Sequence, residues 1–206
     1  MYIKNCLNLG DDDFIKLSDN SNLHFPGDVT ISMWIYNGVT SQTAGTLINK
    51  GVQSNINPYW YAYTNYGSNK KSVFWQFTNG ITWNNVSWTG VIEENKWSHL
   101  VFMYNHSNHN ITLYVNGVSK GIKSTTDSLA VDNTSDLYIG TYQGNTTTYN
   151  FKGKFDEIVF FDSVIMGINV ENNYFSGLNK LFKNRNISSG EYTEKLSEFK
   201  ISIGLD

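Results

Sequence analysis

Hydrophobic and polar residues alternate with period two along most of this chain. In "DVTISMWIYN" (28–37) Ile31, Met33 and Ile35 hold one phase, and Thr30, Ser32, Trp34 and Tyr36 hold the other. In "KSVFWQFTNG" (71–80) Val73, Trp75 and Phe77 alternate with Ser72, Phe74 and Gln76. "KWSHLVFMYN" (96–105) and "SDLYIGTY" (135–142) repeat the habit. Successive side chains of a strand point to opposite faces, so each stretch predicts a half-buried β-strand. Roughly a dozen such segments follow one another, separated by clusters of Gly, Asn, Asp and Ser.

The sharpest turn signal is Asn116-Gly117 in "NITLYVNGVSKGI" (110–122), flanked by two alternating runs. A type I′ turn needs φ > 0 at both central positions, which Asn and Gly adopt at little cost, so this stretch predicts a β-hairpin. Short connections and only two prolines favour antiparallel sheets, because parallel strands require crossover helices. The expectation is an all-β, two-sheet antiparallel sandwich over residues 1–165.

The pattern changes after Asp162. Val170, Tyr174 and Leu178 recur at helical spacing, with Gly177 as a stop, and Tyr192, Leu196 and Phe199 fall on one helical face. Residues 166–206 are therefore expected to form a short helical or irregular C-terminal extension, packed on the domain or on a neighbouring subunit.

Composition narrows the function. Charged residues are 16% and aromatics 15% of the chain, against about 25% charged in a typical domain. The net charge is −3 and no basic block exceeds Lys70-Lys71, which argues against nucleic acid as a partner. No apolar run reaches the roughly 18–20 residues of a membrane span. Cys6 is the only cysteine, so no intrachain disulfide or thiolate metal cluster is expected. "MYIKNCLNLGDDD" lacks the apolar segment of a secretory signal.

Three stretches together resemble the laminin-G-like jelly roll of the concanavalin A-like lectin/glucanase superfamily. They are "LNLGDDDFIKLSDNSNLHFPGDVTISMWIY" (7–36), "NKWSHLVFMYNHSNHNITLYVNGVSKG" (95–121) and "LYIGTY" running on to "FKGKFDEIVFFDSVI" (137–165). The resemblance covers about residues 7–180 and implies that the sandwich is a jelly roll. It leaves function open, because this fold hosts lectins, adhesion modules, virion proteins and hydrolases.

Laminarinase-type glucanases of that superfamily carry Glu-x-Asp-x-x-Glu on one strand. In "GKFDEIVFFD" (153–162) Asp156 and Glu157 are adjacent, and strand alternation would send them to opposite faces. Asp162 lies roughly 20 Å farther along an extended strand. Retaining hydrolysis needs two carboxyls about 5–5.5 Å apart, so the stretch reads as structural. With no Ser/His/Asp order or Cys/His cluster at usable spacing, no catalytic residue is assigned and no enzyme is expected.

The resemblance also implies a possible structural calcium, held by acids of the first turn and of the last core strand. Asp12, Asp28 and Asp156 are the candidates, with Asp11 and Asp13 beside them; carboxylates are the hard oxygen donors that ion takes. The competing reading has these Asp residues fixing their own turns. His106 and His109 have a chelating spacing but read as solvated loop residues.

Two aromatic-rich segments remain, "NINPYWYAYTNYGSNKK" (55–71) and "NGITWNNVSWTG" (79–90). They nominate Tyr59, Trp60, Tyr61, Tyr63, Tyr66, Trp83 and Trp88 as contacts for a glycan or a host-surface protein, with packing of the sheet as the alternative. Trp60 cannot share a face with Tyr59, Tyr61 and Tyr63. Trp34 and Trp97 read as core. The expected function is a non-catalytic recognition module, glycan-binding or adhesive; a purely structural virion or interaction protein is the alternative, and a laminarinase-like hydrolase lacks its motif. Met1 lies almost on the first strand without an export signal, which suggests a virion surface component, a homo-oligomer contacting neighbouring virion subunits. A piece of a larger extracellular protein is the competing setting.

Overall fold

A computed structural model describes residues 2–3, 6–10, 13–25, 27–38, 44–51, 59–64, 71–78, 81–126, 134–144 and 149–204. Its strands are β1 (Tyr2–Ile3), β2 (Leu7–Leu9), β3 (Ile15–Leu17), β4 (Val29–Asn37), β5 (Gly45–Lys50), β6 (Tyr59–Thr64) and β7 (Val73–Thr78). They continue as β8 (Trp83–Trp88), β9 (Trp97–Asn105), β10 (Asn110–Val115), β11 (Val118–Ser124), β12 (Leu137–Ile139) and β13 (Gly153–Phe161). Two helices follow, α1 (Gly167–Lys183) and α2 (Ser189–Ser202).

The strands form two sheets. The first has the order β1-β13-β4-β9-β10-β11, with β2 joining β1 on the same edge of β13. The second has the order β3-β12-β5-β6-β7-β8. All ladders named for these strands are antiparallel. The jelly-roll sandwich expected from the sequence is the fold.

Alternation decides which side chains enter the sandwich. Ile31, Met33 and Ile35 of β4 face Val73, Trp75 and Phe77 of β7 in one core between the sheets. The off-phase residues of β4 do something else. Trp34 joins Trp97 in a second core on the outer face of the first sheet, under Tyr174, Leu178 and Phe199 of the helices. Trp34 and Trp97 are buried as expected, but by helices instead of by the opposite sheet.

The hairpin at Asn116-Gly117 forms with φ of 53° and 82°, as a type I′ turn requires. Asn116 also bonds across to β9: its backbone N–H donates to the His99 carbonyl at 2.9 Å, and its Oδ1 accepts from the His99 N–H at 2.9 Å. A side chain on Gly117 would press on the Phe199 ring at 2.8 Å, so the turn doubles as a seat for α2.

The extension is helical. Val170, Tyr174 and Leu178 are buried along α1, and Tyr192, Leu196 and Phe199 of α2 all reach the second core. Ser188 caps α2 by accepting from the Glu191 N–H at 3.1 Å, the usual way of satisfying a free helical N–H. Gly177, expected to end the first helix, is instead inside it. A Cβ there would overlap the Trp34 indole nitrogen, so glycine lets the helix approach the sheet. Among the described residues no helix is long and apolar enough to cross a membrane.

Candidate functional site

Helices cover the outer face of the first sheet. The outer face of the second carries the aromatic residues that the core does not use. On β6, Trp60 and Ala62 point into the core, and Tyr61 and Tyr63 point outward. Phe74 and Gln76 of β7 lie opposite Tyr63 and Tyr61 in the ladder, and Asn85 of β8 lies opposite Gln76. Two cross-strand rows result, one aromatic and one rich in amides.

The rings are ordered against one another. Tyr61 and Tyr63 stack with centroids 4.6 Å apart, and Tyr63 stacks on Phe74 at 4.8 Å with planes 5° from parallel. Such offset pairs contribute about 0.5–1.5 kcal/mol beyond area burial. The Tyr61 hydroxyl donates to Gln76 Oε1 at 3.1 Å.

A wall rises from the segment after β12. Tyr142 meets Tyr61 edge-on at 5.3 Å, and Tyr149 meets Tyr142 edge-on at 6.0 Å. Backbone and side-chain bonds pin this segment to β5: the Thr46 N–H donates to the Tyr149 carbonyl at 2.9 Å, and the Gln143 N–H donates to Asn49 Oδ1 at 3.1 Å. Thr141 Oγ1 donates to Asn150 Oδ1 at 2.9 Å within it. The floor and the wall enclose a hollow of about 360 Å³, at the small end of ligand pockets.

The seven aromatic candidates separate by face. Tyr61 and Tyr63 line the hollow, with Tyr63 itself only 3% exposed and stacked on both Tyr61 and Phe74. Trp83, on the outward phase of β8, is 40% exposed near the Thr78 end of the same sheet. Trp60 and Trp88 are corrections: at 3% and 4% exposure they fill the inter-sheet core, with Trp60 stacked on Trp75 at 5.5 Å, so neither presents a face to a ligand. The Tyr59 side chain and Tyr66 lie outside the described residues. Sequence reasoning missed Phe74, Gln76 and Asn85, although the phase of β7 already separated Phe74 and Gln76 from the core. It also missed Tyr142 and Tyr149, which only the folded neighbourhood of β12 and β5 brings in.

The two carboxylates of β13 also differ from expectation. The ladder with β4 pairs Asp156 with Trp34 and Val159 with Ser32, so β13 carries one extra residue there. Glu157 has a φ of +48°, and this bulge turns it outward beside Asp156 instead of to the opposite face. Both acids accept from Lys180 Nζ, at 3.1 and 3.2 Å. Burial pulls the Lys180 ammonium down, but the hydrogen bonds and charges of Asp156 and Glu157 outweigh it and hold its pKa above the usual lysine value. The pair is an anchor for α1, remote from the hollow on the other sheet.

Among the described residues, the acids considered for calcium do not converge. Asp28 Oδ1 accepts from the His106 N–H at 2.7 Å and fixes that loop. Asp156 sits opposite Trp34, six positions along β4 from Asp28 and roughly 20 Å away. Asp13 accepts from the Gly10 N–H at 2.9 Å, fixing its own turn. Asp11 and Asp12 lie outside the described residues. Among the described residues no group of three His, Cys, Asp or Glu is placed to hold a metal ion, the His106 and His109 pair included.

The similarities to known proteins agree with this architecture. The carbohydrate-binding module CBM40 of the Ruminococcus gnavus IT-sialidase, solved with alpha2,3 sialyllactose, superposes with a TM-score of 0.70 at 13% identity, over 84% of this chain and 98% of that one. The binding domain of Paraclostridial Mosquitocidal Protein 1 matches with a TM-score of 0.63 at 18% identity, over 84% of this chain and 43% of that one. The binding domain of Botulinum neurotoxin serotype G matches at 0.62 and 13%, over 86% and 45%. At these identities the likeness is one of fold. No curated protein matches the chain in sequence. The Laminin G 3 family model matches residues 9–167, and the chain belongs to that family of the concanavalin A-like lectin/glucanases superfamily.

Proposed function

We propose that this protein is a non-catalytic recognition module that binds a carbohydrate in the hollow on its second sheet. The observation that carries the reading is the lining itself. Tyr61, Tyr142 and Tyr149 supply rings and hydroxyls, and Gln76 and Asn85 supply amides. Sugar rings offer apolar C–H faces between hydroxyl groups, and tyrosine and amide side chains answer both needs. The similar structures are a carbohydrate-binding module of a sialidase and binding domains of toxins, which favours recognition over a role as a virion building block. The Lys180 anchor between Asp156 and Glu157 supports a non-enzymatic role, since both carboxylates are engaged in docking a helix.

A glycan array probed with the full chain tests the proposal. Binding that falls at least tenfold in Tyr61→Ala and in Tyr142→Ala, with the circular dichroism spectrum retained, is the expected result. A blank array, or binding indifferent to both variants, overturns it. Capture of a deglycosylated receptor protein on the same face would transfer the site to a protein partner.

A further inference from the structure

We infer that the hollow takes a neutral glycan and excludes sialylated and other anionic sugars, an inference that rests on the carbohydrate reading above. Among the described residues lining it none bears a charge at neutral pH: the set runs from Ala44 and Thr46 through tyrosines and Phe74 to Gln76 and Asn85. Several of the described cations are committed elsewhere. Lys50 is buried against Asp19 at 2.6 Å, Lys16 reaches Asp136 at 2.7 Å, and Lys96 reaches Glu93 and Glu194 at 3.1 and 2.9 Å. Arg185, the single arginine of the chain, follows α1 on the helical side of the sandwich, as do Lys180 and Lys195.

A carboxylate entering an uncharged hollow sheds water without gaining a counter-charge, which disfavours its binding. Recognition of a sugar carboxylate draws instead on charge-assisted bonds, for which arginine provides a planar fork. Sugar hydroxyls need no such partner. The phenols and amides here both donate and accept, which matches a ring that carries only hydroxyls. The site thus departs in charge from what a ligand such as the sialyllactose on the similar CBM40 module would require.

The experiment compares matched probes, lactose against alpha2,3-sialyllactose and a panel of neutral oligosaccharides against their sialylated forms, by ligand-observed NMR and calorimetry on the full chain. Neutral members are expected to bind. Their affinity should change less than about twofold as ionic strength rises from about 0.01 M to 1 M, a range over which the Debye length shrinks from about 30 to 3 Å. Each sialylated partner should bind at least tenfold more weakly. Gln76→Arg should narrow that gap and make binding of the sialylated form salt-sensitive. Preference for sialylated probes with affinity that falls in salt would overturn the inference while leaving the carbohydrate site standing. Binding of neither class would overturn both.

Discussion

Gly177 of α1 lies directly against the indole nitrogen of Trp34, so close that the helix can hold no side chain there. In a solvent-exposed helix a glycine-to-alanine change stabilises by about 1 kcal/mol. Here the sign should reverse. Gly177→Ala is expected to destabilise by about 1–3 kcal/mol, the usual cost of overpacking, read as a lowered urea midpoint. A variant as stable as the parent, or more so, would show that α1 does not rest on Trp34.

His99 of β9 is buried beside Trp34 and beneath Tyr174 of α1, 2% exposed, with its Nε2 2.9 Å from Ser32 Oγ. Burial depresses its pKa to about 3 from an ordinary 6.5. The folded state therefore binds fewer protons than the unfolded chain between those values, and stability is lost as pH falls from about 6.5 toward 3. The slope should approach 1.4 kcal/mol per pH unit in that window, on top of a shared carboxylate background. The pH slope of the unfolding free energy, from urea titrations across this range, should fall by up to that amount in His99→Gln; an unchanged slope would remove His99 as the cause.

Lys180 neutralises Asp156, which is 2% exposed, and Glu157 beside it. Lys180→Met should cost about 2 kcal/mol, less than the roughly 3–5 of a fully buried pair because the lysine itself is partly solvated. Adding Asp156→Asn and Glu157→Gln to that variant should restore most of the loss. A cost within about 0.5 kcal/mol, as for surface pairs, would mean the bridge contributes little to docking α1.

The two tryptophans nominated for binding but buried should behave as core. Trp60→Ala is expected to destabilise by about 3–5 kcal/mol. Trp83→Ala, at a residue 40% exposed, should leave the thermal midpoint within a few degrees. Differential scanning calorimetry on the pair decides it, and equal losses would contradict the faces assigned to β6 and β8.

What the sequence revealed depended on the range of the interactions. The strands and the Asn116-Gly117 turn were legible because alternation and the φ preferences of two residues are local. Phase alone also split β4 and β7 into two sets and separated Trp60 from Tyr61 and Tyr63, without saying which set faced the core. The bulge was not legible: "GKFDEIVFFD" reads as unbroken alternation until the β4 partner shows the extra residue. Gly177 was misread because a glycine near the end of a helical pattern is commonly a stop, and only Trp34, far away in sequence, shows that it is a contact. Tyr142 and Tyr149 were missed for the same reason, since β12 beside β5 is a long-range pairing.

Without Glu157, β13 would be a strand of perfect rhythm, with Phe155, Ile158 and Phe160 inward and Lys154, Asp156, Val159 and Phe161 outward. Glu157 is a single inserted beat in the phase of the strand, and its carboxylate reaches the lysine of a helix at whose first residue the family's matched segment ends. Deleting Glu157 leaves a chain whose strands keep their register, while α1 loses one of its two acidic holds on the sheet.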